Sequence, residues 1–477
     1  MTALHSLDQT LAALSSALPQ GSLLTDPAAL ERHLVEERGK FHGKARAVLA
    51  PANTEELAAA VAICAKAGVA LVPQGGNTGL VGGAVSGEGE IIVSLHRMSR
   101  ILAVDPVNFT MTVEAGVILA SIQDAARAAG CLFPLSLGAE GSCTIGGNIA
   151  SNAGGVGVLK YGNTRELVLG LEVVLPDGRI WNGMRPVLKD NTGYSLKNLF
   201  IGSEGTLGIV TRAVLKLFPA PQQKQTAFCA LNSVADALAL LSLARKSSGD
   251  AVTAFELMSR FSLDLLARHL DLAAPIEGAY PWYALIELST SRPGTDLREG
   301  FEAMLGEAFD QGLVQDAVLP ESLDQAARLW RMRESIPEAQ KHAGGSIKHD
   351  ISVPVSCIPD FIDRAGAAVL ARLPGTRICA FGHVGDGNVH YNLTQPEDMD
   401  KAQFLGLWDE MNAIVHAIAA GLNGSISAEH GIGLLKVEEV EHFRSPEEHD
   451  LMLAIKRAID PAGMMNPGKL ITDRPAR

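Results

Sequence analysis

Short apolar runs, amphipathic stretches and glycine-rich breaks alternate along the 477-residue chain. Residues 1–20 space their apolar positions as an amphipathic helix does. A short strand at 45–50 is ended by Pro51. Asn53 or Thr54, with Glu56 in a capping-box position, starts a helix whose Leu57, Val61 and Cys64 share a face until Gly68 stops it. Residues 69–72 predict a short strand that runs into a glycine-rich loop at 73–83. A longer strand is expected at 167–175, a turn at 176–178 and the start of its return at 179–181. A glycine-spaced stretch at 202–208 then leads into a strand that ends near Phe218 and Pro219.

The polar stretch 219–224, with two prolines, reads as a domain boundary. Beyond it the rhythm changes. Strands at 227–231 and 252–257 flank a helix at 233–246, and strands at 282–288 and 314–319 flank a helix at 295–311. A helix at 323–340 leads to a strand at 348–354, a helix at 358–372 and a strand at 377–381. These repeats predict an α+β fold whose antiparallel sheet is covered by helices on one face. From about 421 onward the chain reads as helical. The expected domains are 1–220, 221–420 and 421–477, the last packing back on the first.

Composition narrows the field of functions. A formal charge of −13 argues against nucleic acid and against an anionic membrane surface, while leaving room for a local basic pocket. Six cysteines without a CxxC pair read as free thiols in a reducing compartment. Residues 1–20 lack the basic start of a signal peptide, and no apolar run approaches the ~20 residues of a membrane-spanning helix. The expected location is cytoplasmic, and a homodimer is the base-rate expectation for a soluble enzyme of this size.

Two glycine-rich regions and one histidine cluster carry the candidate chemistry. Five of the nine residues 75–83 are glycine, which uncovers backbone N–H groups able to line an anion. No Lys-Ser or Lys-Thr follows, so this is not a Walker loop, and no GxGxxG lies between a strand and a helix. Residues 138–155 combine small residues, amides and hydroxyls between strand signals, and read as a buried ligand-contacting loop. Further along, His383 and His390 flank a glycine-rich turn, and Glu429 with His430 beside it comes from a distant segment. Two His and one Glu with an open position form the donor set of a catalytic metal site, suited to zinc, manganese or a similar divalent ion. Gly382, Gly385 and Gly387 allow the sharp turn that lets both imidazoles converge. Taken alone, the residues also fit a tight hairpin with two incidental histidines, since the spacing is not a standard short zinc motif.

Six stretches, PQGGNTGLVGG, GGNIASNAGG, GSEGTLGIVT, GHVGDGNVHYN, SAEHGIG and DPAGMMNPGKL, occur in that order. Together they resemble the flavin-dependent D-2-hydroxy-acid dehydrogenases of the vanillyl-alcohol-oxidase (PCMH) type flavoprotein fold. That family includes D-2-hydroxyglutarate dehydrogenase, cytochrome- or quinone-type D-lactate dehydrogenase and the glycolate oxidase catalytic subunit. The likeness covers residues 44–470. It implies a PCMH-type FAD-binding domain, an α+β substrate or cap domain with an antiparallel sheet, and a helical C-terminal segment. Pro73, Gln74, Gly75, Gly76, Asn77, Thr78 and Gly79 would cradle the FAD pyrophosphate. Gly138, Ser142, Gly147, Asn148, Ser151, Asn152, Gly155 and Ile209 would line the rest of the cofactor, and Asn466 would reach the flavin. Residues 73–83 contain no histidine for a covalent link, so the expected FAD is noncovalent.

The resemblance also implies His383, His390 and Glu429 as ligands of a divalent metal, Zn foremost, and His430 as catalytic base. Asn392 would bond the substrate's carboxylate or hydroxyl, and Arg333 and Lys348 would bind substrate carboxylate oxygens. Without the resemblance, both cations read as solvated surface residues. Pro337 departs from the threonine of the mammalian hydroxyglutarate enzymes and keeps D-lactate in contention with D-2-hydroxyglutarate. The electron acceptor implied is an electron-transfer flavoprotein or a quinone. Two other readings of the motifs are a noncatalytic flavin-binding subunit and a metallohydrolase without flavin.

Overall fold

The computed structural model describes residues 7–294 and 296–472. The first six positions of the N-terminal helix expected at 1–20, and Thr295 of the helix expected at 295–311, lie outside them; the described helices are Leu7–Ala17 and Leu297–Asp310. The chain divides into two compact units, one holding residues up to Gly154, Gly162–Ala220 and Glu429 onward, the other Gly155–Tyr161 and Pro221–Ala428.

The first unit is built on two larger sheets and a two-stranded one. Strands β1 (Leu23–Leu24), β2 (Val48–Leu49), β3 (Leu71–Gln74) and β4 (Ile91–Ser94) pair in the order β1-β2-β4-β3. The last three strands are parallel and β1 is antiparallel. The helix Thr54–Ala67 joins β2 to β3, and its ends follow from local chemistry. Asn53 accepts from the N–H of Glu56, and Gly68 closes the helix at φ 70°. Next come β5 (Ile101–Asp105), β6 (Thr110–Glu114), β7 (Cys131–Leu132), β8 (Val168–Val174), β9 (Ile180–Gly183), β10 (Ile209–Lys216) and β11 (Phe218–Pro219). The order β5-β6-β10-β8-β9 makes an antiparallel sheet, and β7 pairs with β11.

The final segment departs from the helical expectation for 421–477. Beyond Glu429 the described helices are Val437–Val440 and Pro446–Ile459, with irregular backbone on either side. Gly431, Gly433, Gly463 and Gly468 all take positive φ, and Pro461 and Pro467 interrupt the rest. This irregular backbone is held by specific bonds. Met465 bridges Leu71 in parallel, so residues 464–466 run along the free edge of β3. Lys456 Nζ donates to Thr206 O at 2.7 Å, to Met465 O at 2.9 Å and to the buried Asp460 carboxylate at 2.6 Å.

The second unit centres on one large antiparallel sheet of β12 (Gln223–Leu231), β13 (Val252–Ser259), β14 (Trp282–Thr290), β15 (Asp316–Val318), β16 (Ser346–Ile347), β17 (Asp350–Ser352), β18 (Arg377–His383) and β19 (Asn388–Thr394). Its order is β15-β12-β14-β13-β18-β19-β16, with β17 also on β19. Helices cover both faces, not the single face expected. Ala227, Cys229, Ala284, Ile286, Tyr391 and Leu393 pack in one core with the helices Val234–Ser247, Leu297–Asp310, Ile358–Arg372 and Trp408–Gly421. The alternate residues Phe228, Ala230, Tyr283, Leu285, Cys379 and Phe381 pack in a second core with the helices Arg260–Leu270 and Leu323–Lys341. Successive side chains of a strand point to opposite faces, so the nearly unbroken apolar runs at 227–231 and 283–286 require two covers.

Two boundaries also differ from the expected domains. Residues 155–161, expected in the first domain, supply Leu159 to the first of these cores, where it fills the space that a Cβ on Gly385 would need. Residues 421–428, expected in the last domain, belong to the second unit because Ser352 and Ser425 exchange backbone bonds and Ala428 N donates to Asp350 O.

Candidate active site

In the first unit the two glycine-rich regions meet. A Cβ on Gly75 would fall on Thr144 Oγ1, and one on Gly76 would fall on Ser142 O, so only glycine allows this approach. Pro73 and Gln74 end β3, paired with Val93 and Ser94. The carboxamide of Gln74 is taken up by His33, through Nε2 to His33 O at 2.9 Å and Oε1 to His33 Nδ1 at 2.5 Å. Asn77 adopts φ 56° and donates to Val35 O at 2.7 Å. Among the described residues, none of the N–H groups of Gly75, Gly76, Asn77, Thr78 and Gly79 donates to a protein acceptor. Gly79 and Gly138 face open space. A row of unused N–H groups beside open glycines suits a phosphate chain.

The region 138–155 is not loop throughout, since Ile145–Ser151 form a helix. Gly147, Asn148 and Ser151 lie in it, and Asn152 caps it at φ 49°. Ser151 Oγ returns to Gly147 O, Ser142 Oγ to Ala139 O, and Asn148 Oδ1 accepts from Cys143. Gly155 opens the segment that belongs to the second unit. Ile209 begins β10, buried and paired with Val174. Asn466 donates Nδ2 to Gly83 O at 2.9 Å and Glu204 O at 2.6 Å, and its buried Oδ1 has no protein partner. Thr144 Oγ1 is likewise buried and unpartnered. The unused N–H groups, Thr144 Oγ1 where the two regions meet, and the unpartnered Asn466 Oδ1 are polar groups of the kind that a ligand such as FAD would satisfy.

In the second unit the polar candidates share one sheet face. Strand alternation puts Glu256 with Met258, His383 with Phe381, and His390 with Asn392 on the side of the second core. Glu256 stands opposite His383 in the β13–β18 register, and Asp350 opposite His390 in β17–β19. The His383 and His390 rings lie 5.5 Å apart at 77°. Glu256 is fully buried; it accepts from His383 Nδ1 at 2.5 Å and from Arg333 Nε at 2.6 Å. Burial would push its carboxyl up, but the charge of Arg333 and the hydrogen bonds from His383 and Arg333 hold it below the ordinary range. With its proton on Nδ1, His383 carries its lone pair on Nε2, the nitrogen suited to a metal.

Arg333 is therefore not a surface cation. It is 6 % exposed, in the helix Leu323–Lys341, with its guanidinium 4.9 Å from the Phe381 ring centre. Among the described residues its two terminal nitrogens make no protein hydrogen bond. Pro337 lies one turn further on and withholds the N–H that would bond the Arg333 carbonyl. Lys348 is half-buried between β16 and β17. Asn392 is buried and gives Nδ2 to Gln340 Oε1 at 2.9 Å, while Gln340 donates to Thr394.

Glu429 and His430 are half-buried and open the final segment of the first unit, directly after Ala428. Glu204 anchors that segment. Its carboxylate accepts from Ile432 N at 2.7 Å and Gly433 N at 2.8 Å, beneath Gly431. Glu204 and Glu256 were not singled out in the sequence. An acidic residue inside the apolar run TAFELMS was the signal for Glu256, and the GSEGTLG turn was the signal for Glu204.

Residues 45–183 match the family described as FAD binding domain, and residues 220–470 match the C-terminal domain of the FAD linked oxidases. A mitochondrial D-2-hydroxyglutarate dehydrogenase of Arabidopsis thaliana is 39% identical over 95% of this chain and 80% of its own. The D-2-hydroxyglutarate dehydrogenase of Xanthomonas citri pv. viticola is 38% identical over 97% of both chains. Among solved structures, p-cresol methylhydroxylase superposes with a TM-score of 0.75 at 17% identity, over 97% of this chain and 96% of that one. Alkyldihydroxyacetonephosphate synthase gives 0.71 at 17% over 96% and 84%. At those identities the two structures speak for the fold alone, a PCMH-type flavoprotein fold.

Proposed function

We propose, since this chain belongs to the FAD-linked D-2-hydroxy-acid dehydrogenase family, that it oxidises a D-2-hydroxy acid, D-2-hydroxyglutarate foremost, to the 2-oxo acid. The observation that carries the reading is the single sheet face on which Glu256 joins His383 to Arg333, a metal-type imidazole to a buried cation with two open donors. The names of the relatives support the substrate. FAD is held noncovalently by residues 73–79, the helix Ile145–Ser151 and Asn466. A divalent ion, zinc in the first instance, is held by His383, His390 and Glu429.

Bound FAD would supply a hydride acceptor, and the bound ion a Lewis acid for the C2 hydroxyl. The residues do the rest. Arg333 presents its paired terminal nitrogens to a carboxylate, and Lys348 adds a second cation. His430, neutral, takes the hydroxyl proton. Asn392 orients the substrate through whatever capacity its bond to Gln340 leaves. Electrons leave to an electron-transfer flavoprotein or a quinone. No helix among the described residues is long and apolar enough to cross a membrane.

A second reading, D-lactate, is favoured by Pro337, which offers no side-chain donor beside Arg333. Dye-linked kinetics on D-2-hydroxyglutarate, D-malate, D-lactate and glycolate, with L enantiomers alongside, separates the two. The expected result is the highest kcat/KM for the D-diacids, lost on chelation and restored by Zn²⁺ or Mn²⁺. A preference for D-lactate would transfer Arg333 to the C1 carboxylate, and inactivity on every D-2-hydroxy acid would sink the proposal.

A further inference from the structure

We infer that Glu256 is a positioning residue that couples ion binding to substrate binding, because one buried carboxylate holds both the ring of His383 and the guanidinium of Arg333. The inference rests on the reading that His383 binds a divalent ion and Arg333 meets the substrate. Glu256 has no solvent exposure, and each of its oxygens is committed to a different partner, Oε1 to His383 Nδ1 and Oε2 to Arg333 Nε. A buried carboxylate is tolerated only with such partners, so neither can be withdrawn without leaving a charge or a donor unmatched.

Five side chains close into a ring. Glu256 holds His383; His383 faces His390 at 5.5 Å; the Phe381 ring lies 5.0 Å from His390; the Arg333 guanidinium sits over Phe381 at 4.9 Å; and Arg333 returns to Glu256. Strands β13, β18 and β19 supply four of the five, in directly facing register, while Arg333 comes from the helix above. Three consequences follow from this geometry. The carboxylate fixes the His383 proton on Nδ1, which leaves Nε2 as the donor for an ion. It uses the Nε of Arg333, so the two terminal nitrogens are the ones turned to a ligand. Any displacement of the carboxylate moves both groups together.

The test is Glu256→Gln in the FAD-loaded protein. A carboxamide has one acceptor oxygen and one NH₂, so either His383 or Arg333 faces a donor in place of an acceptor. Zn²⁺ affinity is measured by competition with a chromophoric chelator, and kcat and KM by dye-linked turnover. The expected result is a loss of about 10- to 100-fold in Zn²⁺ affinity, together with a raised KM, at unchanged far-UV circular dichroism and flavin absorbance. Glu256→Asp serves if the glutamine variant does not fold, since a side chain one methylene shorter cannot span both partners. Wild-type Zn²⁺ affinity and KM in a folded variant would overturn the coupling. A wild-type protein that binds neither Zn²⁺ nor Mn²⁺ would instead overturn the underlying metal reading.

Discussion

Replacing Glu204 by glutamine should loosen the backbone that carries Glu429 and His430. The carboxylate accepts from Ile432 N at 2.7 Å and Gly433 N at 2.8 Å, and a carboxamide can replace only one of these acceptors cleanly. Hydrogen bonds to a charged group contribute about 1.5–3 kcal/mol each. Burial holds the Glu204 carboxyl above its ordinary range against the pull of those two N–H groups, Arg444 and Lys436, so desolvation offsets part of that strength. A net loss of about 1–3 kcal/mol at the segment follows, and 1.4 kcal/mol is tenfold in an equilibrium. The direct assay is amide hydrogen exchange of the FAD-loaded protein. Exchange at Ile432 and Gly433 should quicken by about 5- to 140-fold, with kcat lowered. Unchanged exchange at both amides in Glu204→Gln would refute the anchoring role, whatever happened to turnover.

Three further outcomes can be checked. Gly431→Ala should reproduce the Glu204→Gln phenotype, because its Cβ would meet Glu204 Oε1 at 2.7 Å from a backbone at φ 79°; wild-type kcat and exchange in that variant would count against it. Gly75→Ala should cut the flavin-to-protein ratio after gel filtration by about tenfold or more, since the added Cβ falls on Thr144 Oγ1 where the two glycine-rich regions meet; full flavin retention would refute this. Glu114 is buried, which alone would raise its carboxyl, but Arg100 bonds it through Nη2 at 2.7 Å and backbone N at 2.8 Å and holds it below the ordinary range. A depressed folded pKa gives stability that is present above the unfolded value of ~4.3 and is lost as pH falls through the folded one. Glu114→Gln should therefore unfold at lower urea than wild type at pH 7, with the gap closing in acid; a gap independent of pH would exclude this origin.

Much of the fold could be read from local sequence because its cause was local. The helix Thr54–Ala67 begins and ends where Asn53 and Gly68 dictate, and the helix Ile358–Arg372 falls at the expected residues. What escaped depended on pairing between distant strands. Alternation at 227–231 could have shown that both faces of the sheet are apolar, yet the run reads as one buried strand until its two cores are seen. Glu256 is 127 residues from His383, and only the β13–β18 register brings them together. Without the family resemblance Arg333 read as a surface cation, as most arginines are; its burial goes with the ion pair to the Glu256 carboxylate, which local sequence does not show. The final segment read as helical, whereas positive φ at Gly431, Gly433, Gly463 and Gly468 breaks the backbone.

The bridge between Leu71 and Met465 gives the chain a timetable. β3 is the last strand of its sheet, and its outer edge is closed by residues that are synthesised 394 positions later. At about 5–20 residues per second, that edge waits roughly 20–80 s on the ribosome with unpaired N–H and C=O groups. Open edges of this kind recruit other strands. The nascent chain is thus exposed to misassembly longest at the strand that leads into residues 73–79, and chaperone demand during synthesis should fall sharply once Asn466 has emerged and bonded Leu71 O.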